Sequence, residues 1–198
     1  GYGTFCEEIR DLHFADEIIA IEPANNMSEV CRQKGFTVIP RSLEESAALL
    51  PQKAALATAF ELIEHLYSPE TFLARVADIL APGGYLLLTA LNINGFDLRA
   101  LWDRSKSINP PNHINLLSLD SIEVLLDRCG FMVVAKYTPG QLDLDIVANA
   151  CRDGDIKPDG FLRFLVESTG EAAKEAFQKF LQDNKLSSHM HIIARKRD

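Results

Sequence analysis

Apolar residues along the chain follow two alternating rhythms: short unbroken runs of strand length, and stretches in which they recur every three or four positions. Among the runs, Glu17-Ile18-Ile19-Ala20-Ile21-Glu22-Pro23 predicts a buried parallel strand that ends in a carboxylate. Further runs predict strands over Phe36–Ile39, Ala54–Phe60, Tyr85–Ala90, Phe131–Tyr137 and His189–Arg195. Helical spacing appears over Thr4–Asp11. It appears again after Asn25 or Asn26, either of which can cap a helix that presents Met27, Val30 and Cys31 on one face and stops at Gly35. Leu43–Leu50 predicts a short helix broken by Pro51. Ser68 caps and Pro69 starts a helix with Phe72, Leu73, Val76, Ile79 and Leu80 on its buried side, closed by Pro82-Gly83-Gly84. Ser118 caps another, carrying Leu119, Ile122, Leu125 and Leu126 up to Gly130. Apolar strands alternating with amphipathic helices imply a parallel sheet covered by helices on both faces, an α/β fold.

The pattern loosens in two places. Asn92–Asn115 is a long irregular insert holding Phe96, Trp102 and Pro110-Pro111, read as part of a binding pocket or as a packed surface helix around Leu98, Leu101 and Trp102. Arg99, Arg104 and Lys106 within it could attract an anion or form a solvated face. Past Tyr137, Thr138–Asp155 reads as a loop or partial strand rich in Asp143, Asp145 and Asp153. Two helical stretches follow, one crowded with Phe161, Leu162, Phe164 and Leu165, the other lined by Ala173, Phe177, Phe180 and Leu181. This helical insertion over 156–184 can serve as a substrate cap, as the surface of a homodimer, or as an extension of the core.

Composition narrows the possible functions. With 198 residues, 47% of them apolar, the chain can bury a substantial core, and one domain with embellishments is the expected count. A formal charge of −8 argues against nucleic acid as a partner, because phosphate backbones call for basic patches. No apolar run approaches the length of a membrane span, and the basic and apolar regions of a signal peptide are missing from the N-terminus, so a cytoplasmic protein is expected. Cys6, Cys31, Cys129 and Cys151 are scattered without a Cys-x-x-Cys pair and read as reduced thiols. His189 and His191 share a strand face, but no third ligand is nearby, so no metal site is expected.

The chain opens on Gly1-Tyr2-Gly3, the tail of a glycine-rich loop of the kind that turns tightly into a helix whose free N–H groups face a ligand. Glu22 follows about twenty residues later, where an acid can accept both hydroxyls of a ribose. The same spacing suits a nicotinamide dinucleotide site, but the third glycine of that fingerprint would fall at position 6, which is Cys6.

Taken in order, these residues resemble the class I S-adenosylmethionine-dependent methyltransferases, and within them the branch of ubiquinone-type O-methyltransferases and related small-molecule enzymes. The resemblance runs from Gly1 to about Tyr137. Gly1 and Gly3 look like the end of the first motif, Glu22 like the ribose-binding acid, and Met27 like the residue that packs on adenine. Phe60-Glu61-Leu62-Ile63-Glu64-His65-Leu66 is similar to the segment after the fourth strand, Leu80-Ala81-Pro82-Gly83-Gly84 to the turn into the fifth, and Asn112-His113-Ile114-Asn115 to an element before the last core helix. Arg41-Ser42-Leu43-Glu44 departs from the usual adenine-edge motif, although the Ser42 hydroxyl and the Leu43 N–H can still bond the ring.

The resemblance implies a Rossmann-like doubly wound sheet with a helical insertion before the last strand. It implies S-adenosylmethionine as cofactor, held by Gly1, Gly3, Glu22, Met27, Ser42, Leu43, Phe60 and Glu61, and methyl transfer to a small-molecule acceptor, most simply at oxygen. His113 and His65 stand near the carboxyl edge of the sheet as candidate bases, each with a plain structural alternative. The first strand of such a sheet has no counterpart before Gly1, so the chain reads as N-terminally truncated. Its second strand is then expected to close directly onto its fourth or to take a strand from a neighbour. A non-catalytic scaffold and an NAD-dependent oxidoreductase are the alternatives.

Overall fold

The structure, a computed structural model, describes residues 1–46 and 49–198. It divides into two compact units, Gly1–Lys53 with Thr71–Ile79, and Ala54–Glu70 with Leu80–Asp198. No helix of the described residues is long and apolar enough to cross a membrane.

The first unit holds α1 (Thr4–Asp11), β1 (Ile19–Ile21), α2 (Asn25–Gln33), β2 (Thr37–Ile39) and α3 (Leu43–Ser46), together with most of α4 (Pro69–Ile79). β1 and β2 are parallel, with Ile19 opposite Thr37 and Ile21 opposite Ile39, so β1-α2-β2 is a βαβ unit. Neither Asn25 nor Asn26 caps α2. Ala24 is the cap residue, without a side-chain bond, and Asn25 is already helical. The turn is held from upstream, where the Ala24 N–H donates to Glu22 Oε1 at 2.8 Å. Of the helix predicted over Leu43–Leu50, α3 covers Leu43–Ser46, while residues 47 and 48 lie outside the described residues.

The second unit is built on a four-stranded sheet in the order β3 (Ala54–Phe60), β4 (Leu80–Leu91), β6 (His189–Lys196), β5 (Phe131–Tyr137). β3 and β4 run parallel, and β6 lies between β4 and β5, antiparallel to both. Its residues alternate: Met190, Ile192 and Ala194 are buried, while His189, His191 and Ile193 on the other face are half-buried. The expected closure of the chain's first strand onto the strand over Ala54–Phe60 does not form, since β1 pairs with β2 and β3 with β4 in separate sheets. Pro82-Gly83-Gly84 is a bulge inside β4. Ala54 stands opposite Leu80 but Leu56 opposite Tyr85, and Gly83 takes the left-handed φ of 68° that the extra residues require.

Among the described residues, five α-helices follow β4 in this unit before the insertion ends: α5 (Phe96–Leu101), α6 (Leu119–Arg128), α7 (Asp143–Asp153), the short α8 (Gly160–Arg163) and α9 (Glu171–Asp183). Ser118 caps α6 in a capping box with Ser121, as its sequence predicts. The segment read as a loop or partial strand over Thr138–Asp155 is largely α7. Leu144, Val147 and Ala150 recur at helical spacing and are buried, and Asp143 and Asp145 sit in the first turn, where acids suit the helix dipole. α5 buries Leu98 and Leu101 but leaves Trp102 exposed, so Trp102 is not part of the packed face. Leu101, Val147 and Ala150 form a small core with Phe96, Cys151, Ile156 and Leu162, which joins the insert after β4 to the later helical insertion. In α9, Leu181 is buried while Phe180 stays exposed, and Phe177 meets Phe96 edge-on with ring centroids 5.1 Å apart.

One seam fixes how β6 enters the sheet. The Asn92 N–H donates to Ser188 O at 2.6 Å, Asn92 Nδ2 to Ser187 O at 3.0 Å, and the Phe96 N–H to Leu186 O at 2.7 Å. A Cβ on Gly95 would lie 2.3 Å from the Ser188 Cα, closer than two non-bonded carbon atoms can approach. Gly95→Ala is therefore expected to force backbone apart and to destabilise the protein by about 1–3 kcal/mol, read as a lower midpoint in urea unfolding with an unchanged slope.

Candidate active site

In the first unit, the β1-α2-β2 topology gathers the residues named for cofactor binding that lie within it. Gly3 caps α1 in the left-handed region at φ 75°, and a Cβ there would come within 3.0 Å of Cys31 Sγ on α2, so only glycine fits both the turn and the space. Glu22 stands one residue past the end of β1. Its Oε1 accepts the Ala24 N–H, and its Oε2 meets the terminal ammonium of Gly1. Cys31 Sγ reaches Gly1 O at 3.2 Å. Met27 is half-buried on the first turn of α2, Leu43 is buried at the start of α3, and Ser42 precedes it with its carbonyl accepting the Ser46 hydroxyl. Gly1, Gly3 and Glu22 thus come together at the carboxyl end of β1. Cys6, at the place of a dinucleotide fingerprint's third glycine, is a half-buried thiol on α1, pushed up in pKa by burial and by Cys31.

In the second unit, Phe60 ends β3 and Glu61 follows in a left-handed conformation, φ 46°, that a side-chain-bearing residue holds only under constraint. Thr89 on β4 supplies that constraint: its carbonyl accepts the Glu61 N–H at 3.0 Å, and its hydroxyl donates to Glu61 Oε1 at 2.8 Å. Glu61 Oε2 lies 3.3 Å from His189 Nδ1. Burial works against the charge on Glu61, but hydrogen bonds from His189 and Thr89 win and hold its carboxyl below the ordinary range.

The two segments that the resemblance singled out separately form one clamp. The Ile114 and Asn115 N–H groups donate to Glu64 O at 2.8 and 3.1 Å, and Asn115 Nδ2 donates to Ile63 O and Leu66 O. His65 Nδ1 lies 2.8 Å from Asn112 O and His113 Nδ1 2.7 Å from Ser107 O. A carbonyl can only accept, so Nδ1 is the donor in both rings. The two rings pack against each other, centroids 4.7 Å apart. Both candidate bases are therefore also struts of this clamp.

Carboxyl groups missed in the sequence crowd the same unit. Glu64 is 2% exposed and its Oε2 has no hydrogen-bond partner; burial, then Glu61, raises its pKa. Asp97, in the first turn of α5, is pushed up to about 6 by burial and by Asp143. Asp143 accepts from the Ser187 hydroxyl, from the N–H and hydroxyl of Ser188, and from Gln178 Nε2, all within 2.7 Å. No local pattern marks the role of Asp143, because its partners lie 35 or more residues away in the chain. Arg99 lines an open cleft of about 510 Å³ with Asn92, Asn94, Asp120 and Lys185, whereas Arg104 and Lys106 line a separate one.

The description "Methyltransferase domain" is that of the family whose model matches residues 1–136. The chain belongs to this methyltransferase family. With the family comes the methyl donor of the class I enzymes, S-adenosylmethionine, and the α/β architecture above is their Rossmann-like fold. Glu61 lies inside the matched stretch and His189 beyond it. Among solved structures, a SAM-dependent methyltransferase from Archaeoglobus fulgidus is 17% identical with a TM-score of 0.63, covering 99% of this chain and 82% of its own. A chain of the Haloferax volcanii complex between the Trm112 methyltransferase activator and its methyltransferase is 13% identical with a TM-score of 0.65, covering 100% and 80%. The [4+2]-cyclase SpnF is 14% identical with a TM-score of 0.59, covering 100% and 72%. No curated protein sequence matches significantly.

The buried Asp97 gives this methyltransferase a pH signature. In the unfolded chain it ionises near the ordinary aspartate value of 3.8 and in the native state at about 6. The native state thus binds more protons across that window, and stability falls as pH rises through it, by about 3 kcal/mol at most, then levels off. Asp97→Asn keeps the oxygen that accepts the Leu98 N–H and removes the charge. It is expected to be more stable than wild type by about 1–3 kcal/mol at pH 7.5 and equal to it at pH 4, measured by denaturant unfolding at both.

Proposed function

We propose that the chain transfers the methyl group of S-adenosylmethionine to a hydroxyl of a small-molecule acceptor in the cytoplasm. The observation that carries the cofactor half of this reading is Glu22 standing one residue past the carboxyl end of a parallel strand, the place where α/β sheets bind nucleotides, with Gly3 at the left-handed turn into α1. The residues fit the group. Gly3 lets the backbone turn close to it, Glu22 offers a carboxylate to the ribose hydroxyls, Met27 an apolar surface to adenine, and Ser42 with the Leu43 N–H polar groups to the ring edge. Phe60 and Glu61 are named for the cofactor by the resemblance alone. When bound, the cofactor supplies an electrophilic sulfonium methyl; the protein supplies position, and a base for the acceptor's proton.

For the acceptor, the 92–115 insert supports a binding role. It gives Asn92, Asn94 and Arg99 to the open cleft, where Lys185 adds a second cation in a protein of net charge −8. An acceptor bearing a carboxylate or phosphate suits those groups. Oxygen as the methylated atom follows from the resemblance to the ubiquinone-type branch.

Calorimetric titration with S-adenosylhomocysteine, using NAD as control, tests the cofactor half. Saturable binding of the first and none of the second is expected, and Glu22→Ala should weaken affinity about tenfold or more, the loss of charged hydrogen bonds worth about 1.5–3 kcal/mol. Binding of NAD instead, or an unchanged affinity in Glu22→Ala, overturns it. Cofactor binding without methyl transfer to any acceptor would favour the scaffold reading.

A further inference from the structure

His189 and His191 share one face of β6, and among the described residues no group of three or more His, Cys, Asp or Glu converges to hold a metal. The pairing register shows what the two do instead. β6 runs antiparallel to β4, so its first residues stand beside the carboxyl end of that strand, with His189 opposite Leu91 and His191 opposite Thr89. This brings His189 Nδ1 to 3.3 Å from Glu61 Oε2, while the other oxygen of the same carboxylate is tied to Thr89. His191 packs instead against Tyr137, ring centroids 5.6 Å apart.

The geometry points to a Glu61–His189 dyad in which His189 is the base that takes the acceptor's proton, and Glu61 is the positioning residue that holds the ring. Nδ1 faces the carboxylate, so Nε2 is the proton-accepting atom, and the side chain is 44% exposed, open to a ligand. The strain at Glu61 fits this role, since the residue is locked at both its backbone and its carboxylate by one threonine before the imidazole reaches it. The surrounding charges point the same way. The Glu61 hydrogen bond raises the pKa of His189 despite burial, and Asp97 and Asp143 add to it, whereas burial lowers His191. Glu64, beside Glu61, is pushed toward its neutral form and so competes less for the imidazole's proton.

The inference rests on the methyl-transfer reading. In the step, the acceptor O–H bond breaks and its proton passes to His189 Nε2. The oxygen's electron pair forms the new O–CH₃ bond, the S–CH₃ bond breaks, and its electrons remain on sulfur as a neutral thioether. The imidazolium left behind is neutralised by Glu61 and later releases its proton to water.

The test uses the full chain with tritiated S-adenosylmethionine and a panel of phenols and catechols, each bearing a carboxylate or phosphate, as probe acceptors. His189→Gln should lower kcat by about 10²–10⁴-fold while its affinity for S-adenosylhomocysteine stays within about threefold of wild type. In Glu61→Gln the rising limb of the kcat–pH profile should move to lower pH and its plateau should fall, because the base loses the carboxylate that raised its pKa. The His189 imidazole, followed by NMR, should titrate lower in Glu61→Gln than in wild type, a measurement that needs neither cofactor nor acceptor. An unchanged kcat in His189→Gln, an unmoved titration in Glu61→Gln, or a cofactor-binding wild type that methylates none of the panel overturns the proposal. Failure of the wild type to bind S-adenosylhomocysteine refutes the cofactor reading instead, and the NMR titration still decides the dyad.

Discussion

Four donors converge on the buried carboxylate of Asp143, and the second unit depends on their staying there. Two come from Ser188 and one from Ser187, the residues that lead into β6, and the fourth comes from Gln178 on α9. A buried carboxylate is tolerable only when its lone pairs are filled. The contact therefore works in both directions: it satisfies Asp143 and it sets where β6 begins. Since β6 lies between β4 and β5, an error at its entry would propagate into both pairings, and a one-residue slip would turn His189 and His191 to the wrong face. The close approach of Gly95 to Ser188 reinforces the same point from the other side.

Local chemistry explains which elements the sequence made legible. The helix over Thr4–Asp11 and the strands Ala54–Phe60 and Phe131–Tyr137 are found where their apolar spacing puts them, because each is delimited by glycine, proline or a polar break within a few residues. α7 was hidden because Asp143, Asp145 and Asp153 interrupt its apolar residues, and the value of Asp143 lies in partners 35 to 45 positions away. The bulge at Pro82-Gly83-Gly84 reads as a turn because a glycine at positive φ serves either purpose. Gly1, Gly3 and Glu22 were readable as a group, since about twenty residues separate them in the chain. Glu61 and His189 were not, since only the register of a strand more than a hundred residues later brings them together.

Charge is distributed in the second unit so that neighbouring acids differ in state. Glu61 stays ionised against His189, while Glu64 and Asp97 are driven toward their neutral forms by burial and by the acids beside them. Carboxyls packed this closely cannot all ionise cheaply, and the environment separates their pKa values in the way that assigns distinct roles to like groups. The histidines divide similarly: His65 and His113 donate from Nδ1 to backbone carbonyls, and His189 faces a carboxylate.

The insert after β4 is closed at its base. Asn92 bridges to Leu117, the Ile93 N–H donates to Leu117 O at 2.9 Å, and the Asn115 side chain is bound to Ile63 and Leu66. Its first half is held by Gly95 and Phe96 against Ser188 and Leu186 and by the buried Leu98 and Leu101, so a change of length is cheapest in the exposed turn at Trp102, Asp103 and Arg104, where the entropy of closing a loop grows only by about 0.6 kcal/mol for each doubling. In evolutionary terms that turn is the exchangeable part of the insert, free to vary while the packed residues on either side of it stay the same.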